Sequence, residues 1–234
     1  MKYNGFYFAL FQGTMKKVLT ERCGQTVAVQ TLRAARPLYR NLVAEMPDLG
    51  DGNPMAFNAL FALAFVAPYL ASGKQIPPET VQEMMRRSLL HVRFYFSAKD
   101  LNSEKGQAAI KKRVMKYIRW YNEDKQRSYP TSFLVDEVGK PYEDACYYRI
   151  TRCPICTYCK RIGAKELMPL LCELDELMIS LEHGVLHREQ TIASGGAYCD
   201  YYITGDRELC PSPAKPRELN AAHAGTEAEK SDHS

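Results

Sequence analysis

The chain has 234 residues, 46% of them hydrophobic and 25% charged, which supplies enough apolar material for a real core and excludes wholesale disorder. Its formal charge is +4, and the stretch from Gly205 to Ser234 holds four basic and six acidic side chains, so the rest carries +6. A charge of that size suits an anionic small molecule and falls short of the clustered Lys/Arg stripe of a nucleic-acid binder.

Residues 1–128 read as a helical region. Helical stretches are expected from Thr14 to Gly24 and from Gln25 to Glu45, with Pro37 marking a kink or break in the second. Pro47-Asp48-Leu49-Gly50-Asp51-Gly52-Asn53 is a loop, and Asn53-Pro54 is expected to open the next helix, Asn as N-cap and Pro in the first turn. The segment from Pro54 to Ser72 is apolar almost all round. It contains Asn58 and Pro68 and lacks flanking anchors, so it reads as a buried central helix and not as a membrane span. Two more helices follow, Pro78 to Ser97 and Asn102 to Lys125. In the second, Lys111, Lys112, Arg113, Lys116, Arg119 and Lys125 surround Tyr117 and Trp120. Basic residues interleaved with aromatics can bind nucleic acid. The same pattern arises on a solvated helix face, which is the preferred reading, so neither nucleic acid nor membrane is expected as a partner.

The pattern changes at Tyr129-Pro130, where a Cys-rich α+β region over 129–205 begins. Thr131 to Val138 and Ala145 to Arg152 have short β character, joined through Gly139-Lys140-Pro141. Helices over Pro154 to Ile162 and Lys165 to Leu181 come next, then strands over His187 to Ala193 and Tyr198 to Ile203 flanking Ser194-Gly195-Gly196. Residues 206–234 read as a disordered tail. The expected fold is α+β: a helical N-terminal half packed against a C-terminal antiparallel sheet of about four strands with two short helices.

Eight cysteines are too few for a disulfide scaffold, and five of them lie between Cys146 and Cys172. The opening MKYNGFYFALFQG lacks the features of a secretory leader, so reduced thiols in a cytoplasmic protein are expected, used for chemistry or metal. Pro154 suits the first helical position, which puts Cys153 at the N-cap, where free N–H groups favour a thiolate. Cys159 falls on the apolar face of that helix and reads as core; Cys156 sits at its edge. In the next helix Leu167, Leu170, Leu171, Leu174, Leu177, Met178 and Leu181 form a main core face. Met168, Cys172, Asp175 and Ile179 form a second stripe, which makes Asp175 a partly buried carboxylate that either bridges elements or serves as ligand or acid/base. After Gly195-Gly196, Cys199 and Asp200 point to opposite faces of a strand, so one of them faces the helices.

Taken together, the RCPIC segment before a helix, GAKELMPLLCELD, and TIASGGAYCDYYI resemble the L-2-amino-thiazoline-4-carboxylic acid hydrolase family. Met46-Pro47-Asp48-Leu49-Gly50, Asn53-Pro54 and Tyr129-Pro130 fit as well, and the resemblance runs from about Thr14 to Ile203. It implies a hydrolase that opens the thiazoline ring of a cysteine precursor to a carbamoyl-cysteine, and it carries over Cys153, Cys172, Asp175, Thr191, Gly196, Cys199 and Asp200. Other members place His or another polar residue where Ala197 and Tyr198 stand.

Opening a cyclic amidine requires a nucleophile at the carbon between S and N and a proton for the departing ring nitrogen. A thiolate at Cys153 or Cys199 can attack with Asp175 moving the proton. Alternatively Cys153, Cys172, Cys199 and Asp175 can hold a Zn²⁺ that activates water. Arg149, Arg152 and Arg188 are candidates for the substrate carboxylate, and Thr191, Gly196 and Asp200 for other substrate contacts. Two other classes fit parts of the pattern: a non-catalytic Cys-rich sensor of small ligands or metal, and a CPxC redox protein. The redox class calls for a βαβ unit around Cys153 and a cis-proline facing the thiols.

Overall fold

The computed structural model describes residues 3–123, 128–136 and 146–207. It is α+β, with the helices concentrated in the N-terminal half and an antiparallel four-stranded sheet in the C-terminal part. Four helices build the first layer: α1 (Phe6–Cys23), α2 (Gln25–Glu45), α3 (Ala56–Ala71) and α4 (Pro78–His91). In α1 the buried side chains Phe8, Phe11, Met15, Val18 and Leu19 recur at helical spacing and face α2, α3 and α4. α3 is the central helix: Ala59, Leu60 and the run from Ala62 to Tyr69 are buried on every side, as its composition requires. Among the described residues no helix is long and apolar enough to cross a membrane.

Three expectations for this half need correction. α1 begins at Phe6, well before Thr14. Of the kink or break expected at Pro37, the break is absent, since α2 continues through it; Pro37 and Arg33 lie on the exposed side, so water can take the carbonyl that proline cannot pair. Asn53 is not the cap of α3, which starts three residues later. Its Oδ1 accepts from the Met55 N–H at 2.7 Å, and its Nδ2 donates to the Leu49 carbonyl at 2.6 Å and to Ser132 Oγ at 3.0 Å. Ser132 Oγ lies 3.2 Å from the Tyr117 hydroxyl, which donates to the Phe133 carbonyl at 2.7 Å. The loop after α2 is thereby fastened to the chain entering the sheet. Gly50 has φ +98°, and a Cβ there would sit 2.7 Å from the Trp120 ring, so the loop can lie this close only with glycine.

α5 (Glu104–Asn122) is capped by Ser103 Oγ, which accepts from the Gly106 N–H, and packs on the sheet. The sheet has the order β1-β2-β4-β3, with β1 (Leu134–Asp136), β2 (Cys146–Arg152), β3 (Gly184–His187) and β4 (Cys199–Gly205), every neighbour antiparallel. Between β2 and β3 run α6 (Pro154–Arg161) and α7 (Met168–Leu181), the latter preceded by a 3-10 turn over Lys165–Leu167. The antiparallel pairing of β2 on both edges means that Cys153 does not sit in a βαβ unit. No described peptide bond is cis, so the second redox hallmark is missing there too.

The strand expected over His187 to Ala193 is also corrected. Only His187 belongs to a strand, and Ile192–Ser194 form a 3-10 turn. The reason is where the backbone donors go. Thr191 and Ser194 cap each other reciprocally, and the Asp200 carboxylate accepts the N–H groups of Glu189 and Gln190 at 2.8 and 2.9 Å. The turn expected at Gly139-Lys140-Pro141 and the tail beyond residue 207 lie outside the described residues. One hydrophobic cluster runs from Phe8 through the helices to Cys199, so helices and sheet share a core.

Candidate active site

Strand register decides which side chains meet the helices. Tyr148 pairs with Tyr201 and Ile150 with Cys199 across β2 and β4, so Cys146, Tyr148 and Ile150 share a face with Cys199, Tyr201 and Ile203. That face looks toward α3, α5 and α7 and closes a cavity of about 200 Å³. Cys199 is therefore the inward member of its pair and Asp200 the outward one. At the end of β2 the chain turns at Cys153, the N-cap of α6, with Pro154 at the first helical position. Cys153 lines the cavity beside Ile155; Cys156 and Cys159 are buried core thiols. From α7 the second stripe delivers Met168, Cys172, Asp175 and Ile179 to the same space. Cys153, Cys172, Asp175 and Cys199 all line one cavity, although they come from three elements.

Asp175 is held on one side only. Its Oδ2 accepts from Arg188 Nη2 at 2.8 Å and from the Tyr201 hydroxyl at 2.8 Å. Among the described residues Oδ1 has no hydrogen-bond partner, and the side chain keeps 32% of its surface. Arg188 is 7% exposed. Besides Asp175 it binds the carbonyls of Cys172 at 3.0 Å and Asp200 at 3.2 Å, and its guanidinium lies 4.3 Å from the centre of the Tyr201 ring. Tyr201 in turn stacks on Tyr148, centroids 4.5 Å apart and planes 8° from parallel. Burial pushes both tyrosine hydroxyls well above their ordinary range, so they are protonated donors at neutral pH.

The thiols do not follow the helix-terminus expectation. Burial pushes Cys153 up to about 12, although the Ile155 and Cys156 amides pull in the other direction. A helix N-terminus contributes about 0.3–1 kcal/mol to a nearby anion, which desolvation outweighs here. Cys172 is raised by burial and then by the Asp175 carboxylate beside it, and Cys199 by burial despite the Ile192 N–H at 3.2 Å. At neutral pH the cavity therefore presents thiols. Below its pKa a thiol gains thiolate about tenfold per pH unit. Iodoacetamide should accordingly leave the Cys153 peptide unlabelled at pH 7, while labelling climbs steadily up to pH 10. A plateau reached below pH 8, read by peptide mass, would mean that the amides outweigh burial.

The remaining sequence candidates sit elsewhere. Arg152 donates from Nε to the Ser132 carbonyl at 2.8 Å and from Nη2 to the Tyr121 hydroxyl, and does not line the cavity. Arg149 is on the outer face of the sheet, its guanidinium 4.2 Å from the Tyr198 ring centre. Thr191 caps the 3-10 turn, and Asp200 pins the segment leading into it. Gly196 is where that turn closes on itself: a Cβ would lie 2.5 Å from Gln190 Oε1. These three shape the loop that sets Arg188 against Asp175. Ala197 and Tyr198 likewise do not line the cavity. Among the described residues no three His, Cys, Asp or Glu side chains are disposed to hold a metal ion, so the zinc alternative does not fit this donor set.

Five polar cavity residues, Asn58, Arg113, Tyr117, Tyr148 and Tyr201, were not among the site candidates of the sequence reading. Tyr148 and Tyr201 were available from strand alternation, two residues from Ile150 and Cys199. Asn58 and Arg113 carried no signal, because only the packing of α3 and α5 over the sheet brings them in.

A family model described as L-2-amino-thiazoline-4-carboxylic acid hydrolase matches residues 57–203, more than half of the chain. No curated protein matches, and neither does any solved structure.

Proposed function

Because the chain belongs to the L-2-amino-thiazoline-4-carboxylic acid hydrolase family, we propose that it hydrolyses a small carboxylated cyclic amidine in the cavity beside Asp175. The observation that carries this reading is the coincidence of match and cavity. Residues 57–203 contain the whole lining except Pro54 and Met55.

The chemistry follows from the atoms in place. The Oδ1 of Asp175, which has no hydrogen-bond partner among the described residues, takes a proton from a water molecule as the water oxygen adds to the carbon between sulfur and nitrogen. The tetrahedral adduct then collapses to a carbonyl as the carbon–ring-nitrogen bond breaks. The nitrogen leaves as an amine that takes back the proton held by Asp175 together with the proton released from the adduct's hydroxyl, so the product is a carbamoyl-cysteine composed of substrate plus one water. Arg188 and Tyr201 hold Oδ2 and so fix the direction of Oδ1. Cys153, Cys172 and Cys199, protonated at neutral pH, line the walls as weak S–H donors. A water route asks less of this site than a thiolate route, since a thiol near 12 is a poor nucleophile at pH 7.

The test is turnover. Incubation with 2-amino-thiazoline-4-carboxylate should yield carbamoyl-cysteine, detected by mass as substrate plus water. Tight binding of that compound without any product would replace the hydrolase with a ligand sensor built on the same cavity.

A further inference from the structure

The proposed substrate is an anion, and the three arginines that proximity in sequence suggests for it are engaged elsewhere. Arg188 is buried against Asp175, Arg152 is bonded to Ser132 and Tyr121, and Arg149 stacks on the far face of the sheet. The cavity lining nevertheless contains one positively charged side chain, Arg113 of α5. We propose that Arg113, at the exposed mouth of the cavity, is the specificity-determining residue that binds the substrate carboxylate; this rests on the hydrolase reading above.

Three observations support the assignment. Arg113 is exposed and, among the described residues, has no hydrogen-bond or ion-pair partner, so its five donors are available. It shares the cavity lining with Asp175 and Tyr148. Tyr148 has no hydrogen-bond partner among the described residues, and it stacks on the ring whose hydroxyl holds Asp175. A substrate whose amidine carbon lies at Asp175 would thus direct its carboxylate along Tyr148 toward Arg113, in a site otherwise walled by apolar side chains such as Ile110, Val114 and Ile203. Guanidinium–carboxylate pairing gives both charge and a two-pronged geometry. Exposure makes the contribution salt-sensitive.

The experiment compares 2-amino-thiazoline-4-carboxylate with its decarboxylated analogue, 2-amino-thiazoline, by equilibrium binding to the full chain and to Arg113→Met. The wild type should prefer the carboxylate by about tenfold, close to 1.4 kcal/mol, and the preference should shrink as salt is raised. Arg113→Met should bind both compounds alike, with an unchanged melting temperature because Arg113 is exposed and has no partner among the described residues. In turnover, its KM for the carboxylate should rise by the same factor with kcat retained. Persistence of the tenfold preference in Arg113→Met overturns the assignment, as does a wild type that binds the two compounds equally or binds neither. Loss of preference in a chain that shows no turnover removes the hydrolase reading and leaves Arg113 as the carboxylate site.

Discussion

Asp175→Asn should lower kcat for ring opening by two to three orders of magnitude and change KM little. General acid–base catalysis contributes about 10²–10⁴-fold, and the substitution removes the base while keeping its shape. The asparagine carbonyl can still accept from Arg188 and Tyr201, so the α7–β4 contact survives and the melting temperature should fall by only a few degrees. The oxygen with no partner becomes either an amide nitrogen or a neutral carbonyl, neither of which takes a proton from water. Steady-state kinetics on the variant decide the matter: retention of more than a tenth of the wild-type kcat would mean that Asp175 only positions its neighbours. A variant with Tyr201→Phe offers the contrast. It deletes one of the two bonds to Oδ2 and leaves the base, so a smaller loss of kcat is expected.

Arg188→Ala should be the most destabilising single change in the site, costing about 3–5 kcal/mol in denaturant unfolding, because removing one partner of a buried ion pair strands the rest. The side chain is 7% exposed and serves Asp175, the Cys172 and Asp200 carbonyls and the Tyr201 ring together. A domain with a total stability of about 5–15 kcal/mol loses a large share of it. The double variant with Asp175→Asn separates charge from packing: it should recover part of the loss, since the carboxylate left unpaired by the first change is gone. A single change costing less than about 1 kcal/mol would show that water replaces the guanidinium and that the site is wetter than its burial suggests.

Much of this site could be read from local pattern. Pro154 after Cys153 sets an N-cap whatever surrounds it, and the Cys172–Asp175–Ile179 stripe follows from 3.6 residues per turn. Strand alternation separates Cys199 from Asp200. What local pattern lacks is the third dimension. Burial turned the Cys153 thiol from a group expected near neutrality into one raised to about 12, and nothing in RCPIC encodes how far that loop lies beneath other elements. Arg113 looks like its basic neighbours on α5 until the sheet is laid beneath that helix. Arg188 lies in the expected strand and promised a substrate contact, but its charge is used internally. Side chains that cap one another ended the strand expected after His187, a competition that propensity alone does not resolve.

The Asn53–Ser132–Tyr117 network bears on how this chain reaches its fold. Asn53 and Ser132 are 79 residues apart in sequence, and both are buried. Until Ser132 and Phe133 arrive, the Asn53 amide has only its local partners at Leu49 and Met55, the Tyr117 hydroxyl lacks both Ser132 and the Phe133 carbonyl, and the five helices formed before them hold an incomplete core. Closing so long a loop is slow relative to helix formation. The late docking of the segment that enters the sheet is therefore the step that completes the helical layer, and the cavity exists only once it has occurred. A nascent chain emerging from the ribosome would carry formed helices and no site until the strands that hold Tyr148 and Cys199 were also free to dock.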